Sequence, residues 1–171
     1  MSAAGVLRIR DARADERDAI RALTRAAYAE YATVMSATTW AGFSEAMRAA
    51  LEAEGRVERI VAERGGRLVG SVLLFPPAAD AYGGATAPAA WPELRLLAVA
   101  PDARGEGIGR ALVEECARRA RSRGAAELGL HTSASMRAAI RMYERLGFVR
   151  APEHDFHPPG GEVVTAYRLR L

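Results

Sequence analysis

Apolar and charged positions alternate at the start of the chain, Leu7 and Ile9 against Arg8 and Arg10, which is the period of a short edge strand. A helical period follows, with Ile20, Leu23, Ala27 and Tyr31 on one face and Asp15 able to cap the start. Trp40 to Glu54 is a second amphipathic stretch through Phe43, Met47, Ala50 and Leu51, and Gly55 is placed to stop it. Ile60 to Ala62 and Leu68 to Phe75 then flank Gly65-Gly66, the pattern of a hairpin on a two-glycine turn. Pro76 to Pro92 is rich in Ala, Gly and Pro and poor in large apolar residues, so it is predicted to be a surface loop outside the core that borders a substrate.

Beyond that loop the period switches repeatedly. Glu93 to Val99 reads as a strand, and Gly109 to Arg123 as a helix with Ile108, Leu112 and Cys116 inward and Glu114–Arg118 and Glu115–Arg119 as outer pairs; Gly124 ends it. Leu128 and Leu130 mark a strand. Ser133 or Ser135 begins a helix to Leu146, Gly147 caps it, and Phe148-Val149 starts another strand, giving the order β-α-β-α-β. A turn at Pro158-Pro159-Gly160-Gly161 leads to a last strand over Glu162 to Leu171. No internal repeat interrupts this α/β (α+β) pattern.

Composition narrows the chemistry. At 171 residues and 18.3 kDa, one domain over residues 1–171 is expected. Of the apolar residues 37 are Ala and 35 are Val, Ile, Leu or Phe, so helix and sheet must pack closely. All 24 basic residues are Arg against 21 acids, which excludes a lysine Schiff base and any Walker-type lysine. The net charge of +3 is spread among acids, favouring a local anion site over a nucleic-acid surface. Cys116 is the sole cysteine, so no intrachain disulfide can form and a cytoplasmic address fits. Met1 to Arg10 has no signal-type apolar run, and nothing reads as a membrane span.

Between the strand ending at Val99 and the following helix stand Ala100-Pro101-Asp102-Ala103-Arg104-Gly105-Glu106-Gly107-Ile108-Gly109-Arg110. Gly105, Gly107 and Gly109 let backbone N–H groups approach an anion, at the point where the helix directs its positive dipole end. The competing reading is a glycine turn that merely joins strand to helix. A dinucleotide fingerprint would need Gly in place of Arg110, and no Gly-Lys-Ser or Gly-Lys-Thr of a P-loop occurs.

Arg-x-x-Gly-x-Gly, here Arg104 to Gly109 after Leu97-Ala98-Val99, resembles the acetyl-CoA-binding loop of the GNAT N-acetyltransferase superfamily, and Ala139-Ile140-Arg141-Met142-Tyr143-Glu144-Arg145-Leu146-Gly147-Phe148 resembles its second signature. The resemblance implies a mixed, mostly antiparallel central sheet of about seven strands flanked on both faces by about four helices. It implies that the strand Leu97-Ala98-Val99 splays from its neighbour and offers backbone groups of Leu97 and Val99 to the pantetheine arm. The loop Arg104, Gly105, Glu106, Gly107, Ile108, Gly109 and Arg110 would hold the pyrophosphate, with Arg104 or Arg110 adding charge. A backbone N–H of Val99 or Leu97 would polarise the thioester. Tyr143 would be the general acid, against a reading as a core residue on the Met136–Ile140–Tyr143 stripe.

Met136 stands where many members carry Asn, with Ser133 or Ser135 as candidate substitutes. Glu93 is the candidate base, its alternative being a solvent-facing strand end; His154 or His157 would replace it if their loop folds over the acceptor. His131 and a buried Cys116 read as structural, and His154 and His157 lack a third metal ligand. With no Gly-x-Ser-x-Gly, direct attack in a ternary complex is the expected route. The expected acceptor is a primary amine of a small molecule or peptide, set by the first two helices and Pro76–Pro92. An acyl-CoA-holding regulatory module without turnover and an interaction protein on a degenerate fold are the alternatives. Dimerisation through the last strand is common in such proteins.

Overall fold

A computed structural model describes residues 5–171; Met1 to Ala4, where the expected domain starts, lie outside the described residues. Four α-helices, α1 (Arg17–Tyr28), α2 (Ala37–Glu52), α3 (Ile108–Ser122) and α4 (Arg137–Arg145), flank one sheet. Its strands are β1 (Arg8–Asp11), β2 (Glu58–Arg64), β3 (Arg67–Phe75), β4 (Glu93–Val99), β5 (Glu127–Ser133), β6 (Val149–Arg150) and β7 (Val164–Arg170). The order is β1-β2-β3-β4-β5-β7-β6, antiparallel throughout except where β4 meets β5. The mixed, mostly antiparallel architecture is therefore as expected. Among the described residues no helix is long and apolar enough to cross a membrane.

Alternation on the central strands divides two apolar layers. Ile60, Val72 and Leu74 face Ile108, Leu112, Val113 and Cys116 of α3 and Tyr143 of α4. Val61, Leu73 and Phe75 face Ile20 of α1 and Met47 and Leu51 of α2. Gly70 lets α3 approach β3, since a Cβ there would lie 2.8 Å from Ile108 and 2.9 Å from Leu112. Gly65 and Gly66 close the β2–β3 hairpin with φ of +57° and +78°, the conformation of a two-residue turn that only glycine adopts freely.

Several expected boundaries move. Asp15 does not cap α1; it lies in a helical turn over Ala14–Glu16, and Glu16 accepts the Arg13 backbone N–H at 2.7 Å. Tyr31 falls beyond α1 in a second such turn, Ala29–Thr33. α2 starts three residues before Trp40, because Ser36 accepts the Thr39 N–H, and it ends ahead of Gly55. α4 starts at Arg137 rather than at either serine, whose hydroxyls are bound to Glu162. On α3, Glu115 pairs with both Arg118 and Arg119, while Glu114 turns to Arg110 instead of Arg118. Residues 76–92 are not wholly outside the core: Ala81 and Trp91 are buried.

Candidate active site

The sheet opens at its centre. β4 and β5 pair only at Glu93 with Gly129 and Leu94 with Leu130, and from Arg95 onward the two strands part. On the β3 side the register slips between Ser71 and Leu73, and Leu96 takes φ +52°, a left-handed conformation costing a non-glycine residue roughly 1–2 kcal/mol. Leu96 packs in the apolar layer under α1 and α2 and borders the opening. Leu97 does not offer a free carbonyl, as expected of this edge, because the Tyr28 hydroxyl donates to it at 2.8 Å.

At the end of β4 the glycine loop leads into α3. Gly105 and Gly107 have φ of +78° and +80°, and a Cβ on either would meet nothing within 4 Å. Backbone N–H groups from Gly105 to Arg110 donate to no backbone or side-chain group among the described residues; the first bond of the helix is Ala111 N–H to Gly107 carbonyl. This is the orphan donor set of a helix N-terminus, turned outward by two left-handed glycines.

Side chains pull away from that surface. Glu106 pairs with Arg64 of β2, Asp102 with Arg67 of β3, Arg110 with Glu114, and Arg104 with Glu30 and the Ala27 carbonyl. Drawing Glu106 onto Arg64 offsets a loop carboxylate that would otherwise repel an anion here.

The loop rims a cavity of about 640 Å³ that runs between the parted strands and is bordered by Leu97, Val99, Gly109, Met142 and Tyr143. Tyr143 is 6% exposed, and burial pushes its phenol well above its ordinary titration range, so the hydroxyl holds its proton at neutral pH. Tyr143 is thus both a core residue, packed against Phe148, and a cavity residue. Cys116 lies under α3 with its thiol pushed up to about 12 by burial, which leaves it inert.

Glu93 is neither solvent-facing nor on this cavity. It is 4% exposed and accepts from Tyr82 Oη at 2.8 Å and Trp91 Nε1 at 2.8 Å, with His131 Nδ1 at 2.5 Å. Trp91 can reach it only because residue 129 is glycine: a Cβ there would overlap the indole at 1.8 Å. His131 Nε2 faces the His154 carbonyl at 2.9 Å, so both ring nitrogens are engaged. His131 and Glu93 thus fix one another at the joint of β4 and β5, and neither has a free lone pair directed at a substrate.

A second cavity, of about 270 Å³, meets the first; Tyr28, Arg95, Leu96, His131, Thr132 and Met136 border both. Phe43, Phe156 and Met35 give it apolar walls, and Glu162 lies on its rim, accepting from Ser133 at 2.6 Å and Ser135 at 3.0 Å. Ser133 and Ser135 therefore do not stand in for the missing Asn at Met136, whose sulfur accepts from Thr132 at 3.6 Å. The loop of residues 151–161 does fold against this cavity, but through Phe156, Pro158 and Pro159. His154 packs on Trp91 and His157 borders neither cavity.

The sequence profile of the Acetyltransferase (GNAT) family matches residues 18–148. The chain belongs to that family. Among curated relatives, a mycothiol acetyltransferase from Cellulomonas flavigena is 36% identical over 105 residues, 60% of this chain and 30% of that protein. The [ribosomal protein bS18]-alanine N-acetyltransferase of Escherichia coli is 47% identical over 63 residues, 36% of this chain and 43% of that protein. This chain thus spans less than half the length of either. Among solved structures, the Escherichia coli ribosomal-protein-S18-alanine N-acetyltransferase superposes with a TM-score of 0.65 at 22% identity, covering 96% of this chain and 94% of that one. A GNAT family acetyltransferase from Brucella melitensis, in complex with acetyl-CoA, gives 0.59 at 25% identity over 94% and 96%.

Of the residues singled out from the family pattern, Leu97, Val99, Tyr143 and the glycine loop apart from Glu106 share one cavity wall, whereas Ala98 is buried in the sheet, Glu106 turns away to Arg64, and Glu93 lies behind the wall. Glu162 and Arg95 are among the cavity residues that the sequence pattern does not single out. Glu162 reaches the site through tertiary contacts alone and left no local signal. Arg95 did leave one, a charged residue within the run Leu94-Arg95-Leu96-Leu97 of a strand buried on both faces.

Proposed function

We propose that the chain transfers an acetyl group from acetyl-CoA to an amine held in the smaller cavity. The observation that carries this reading is the run of unpartnered N–H groups from Gly105 to Arg110 at the mouth of a cavity that continues along the parted edge of β4 to Tyr143. That run suits a pyrophosphate, and the open space before Gly105 and Gly107 suits its close approach. Acetyl-CoA supplies a thioester, whose acyl carbon is electrophilic and whose thiolate can leave.

Glu162, directly or through a water, takes one proton from the acceptor's ammonium to free its lone pair; the amine attacks the acyl carbon, Tyr143 gives a proton to the departing sulfur, and its phenolate recovers one from the new amide nitrogen, so that a C–N bond replaces a C–S bond with protons balanced. Glu93 acts as a positioning residue, holding His131 and the joint of β4 and β5. The curated relatives do not fix the acceptor, since one is named for mycothiol and the other for an alanine of a ribosomal protein.

Calorimetric titration with acetyl-CoA tests the reading. Micromolar-scale binding is expected for the wild type and for Gly107→Ala, which shares the backbone strain, with loss on the order of 10²-fold in Gly107→Glu. A folded wild type that binds no acetyl-CoA would overturn the proposal.

A further inference from the structure

Arg95 is a buried cation without a counter-ion. It is 8% exposed, and no ion pair among the described residues includes it. Its single hydrogen bond runs from Nη1 to the Ala81 carbonyl at 2.6 Å, and its guanidinium lies over the Tyr82 ring at 4.2 Å. The only sealed side-chain nitrogen lacking a partner among the described residues is Arg17 Nε, so the unbonded nitrogens of Arg95 keep accessible surface, and the residue borders both cavities. Neither Glu93, which is held by Tyr82, Trp91 and His131, nor Glu162, which accepts from Ser133 and Ser135, pairs with it. Burying an uncompensated guanidinium is costly, and a bound anion that completes its planar fork would offset that cost.

We infer that Arg95 anchors the carboxylate of the acceptor, and that the acceptor is an amine of the chemistry of a free apolar α-amino acid. The smaller cavity carries one cation, Arg95, and one anion, Glu162, between walls formed by Phe43, Met35 and Phe156. That charge pattern complements a zwitterion: the carboxylate meets Arg95, the ammonium meets Glu162, and the apolar body takes the walls. About 270 Å³ suits a single small metabolite. A peptide N-terminus would put a neutral amide where the carboxylate is needed and leave Arg95 unpaired, which is why the observations favour the free amino acid.

The inference rests on the proposed acetyl transfer for the fate of the amine, but its test does not. L-phenylalanine, L-methionine and L-leucine are titrated by calorimetry into the protein with and without saturating CoA, beside their α-amides and phenethylamine. At least one acid should bind about 30-fold or more tightly than its amide, the effect of removing one partner of a buried charge pair. Arg95→Gln should close the acid–amide gap to below about threefold with acetyl-CoA affinity unchanged, while Arg95→Lys keeps part of it. Because the gap is a ratio within one variant, partial misfolding does not imitate the result. Thiol release should then be seen with the acids and not with phenethylamine.

The inference is overturned if no acid of the series binds, if amides bind as well as acids, or if the gap persists in Arg95→Gln. It is also overturned if Arg95→Gln loses acetyl-CoA affinity, which would assign the cation to the larger cavity. A wild type that binds the acids but not acetyl-CoA would keep the anchor and remove the transferase reading.

Discussion

Tyr143 and Glu162 lie on opposite sides of the edge where β4 leaves β5, one on each cavity, and their proposed roles separate in kinetics. Tyr143→Phe keeps the packing against Phe148 and removes only the hydroxyl, so kcat should fall on the order of 10²-fold while the acetyl-CoA Kd stays within about twofold. Glu162→Gln should also lower kcat, and the loss should shrink as pH rises toward the pKa of the amine, where the acceptor no longer needs a base; a purely structural role would leave that ratio flat. Equal losses of binding and kcat in Tyr143→Phe would return it to the core. At this scale the chain announces backbone chemistry better than side-chain chemistry. Gly105, Gly107 and Gly109 are legible because close approach of the main chain needs glycine at fixed spacing. The burial of Glu93 is not legible, because an acid at a strand end gives no sign of the three groups that converge on it, two of which, Tyr82 and Trp91, come from a loop whose composition reads as surface.

Elements were legible wherever a period runs long, as in the β2–β3 hairpin, β4 and α3, and less so where a side chain outside the period decides the boundary. The joint between β1 and α1 is such a place. Glu16 takes two hydrogen bonds from Arg10 of β1, at 2.8 and 2.9 Å, and one from the Arg13 backbone, while Arg10 also reaches Glu63 of β2. The Arg10 hydrogen bonds, ahead of the Arg13 backbone contact, hold the Glu16 carboxyl at about 2 against the cost of burial. A carboxyl lowered on folding contributes stability that is fully present above its unfolded value near 4.3 and is lost as pH falls toward about 2. Glu16→Gln should therefore cost about 1–3 kcal/mol at pH 7 by urea denaturation, with the difference from wild type vanishing between pH 4.5 and about 2. Glu115 on α3, held at about 2 by Arg118 and Arg119, titrates in the same window, but it does so in both proteins and cancels in the difference. A gap that persists unchanged at low pH would assign the loss to packing instead.

At the scale of the whole molecule the sheet is two half-sheets, β1 to β4 and β5 to β7, joined at two residue pairs, by the Gly129 N–H bond to the Pro92 carbonyl, by the Glu93–His131 contact behind them and by α3 packed across both. What the sheet lacks in hydrogen bonds along Leu96 to Val99 it exposes to the larger cavity, so the free protein should open there first. A ligand that spans the parted edge and the N–H groups of Gly105 to Arg110 touches both halves, and its binding is linked to their docking. At a hundredfold excess of acetyl-CoA over Kd the folded state gains about 2.7 kcal/mol, which for a chain of this size raises Tm by roughly 5–10 °C. Hydrogen exchange should show where that gain is realised. Leu96 to Val99, Gly105 to Arg110 and the first turn of α4 should slow markedly, while β1, four strands from the opening, should change only as much as global unfolding requires. A rise in Tm with uniform protection would mean that the ligand stabilises the fold without bridging the opening. Protection confined to Gly105–Arg110 would mean that the loop alone holds the ligand and that β4 is not its track. Only slowing on both sides of the parted strands fits a cleft in which the missing strand pairing is itself the binding site.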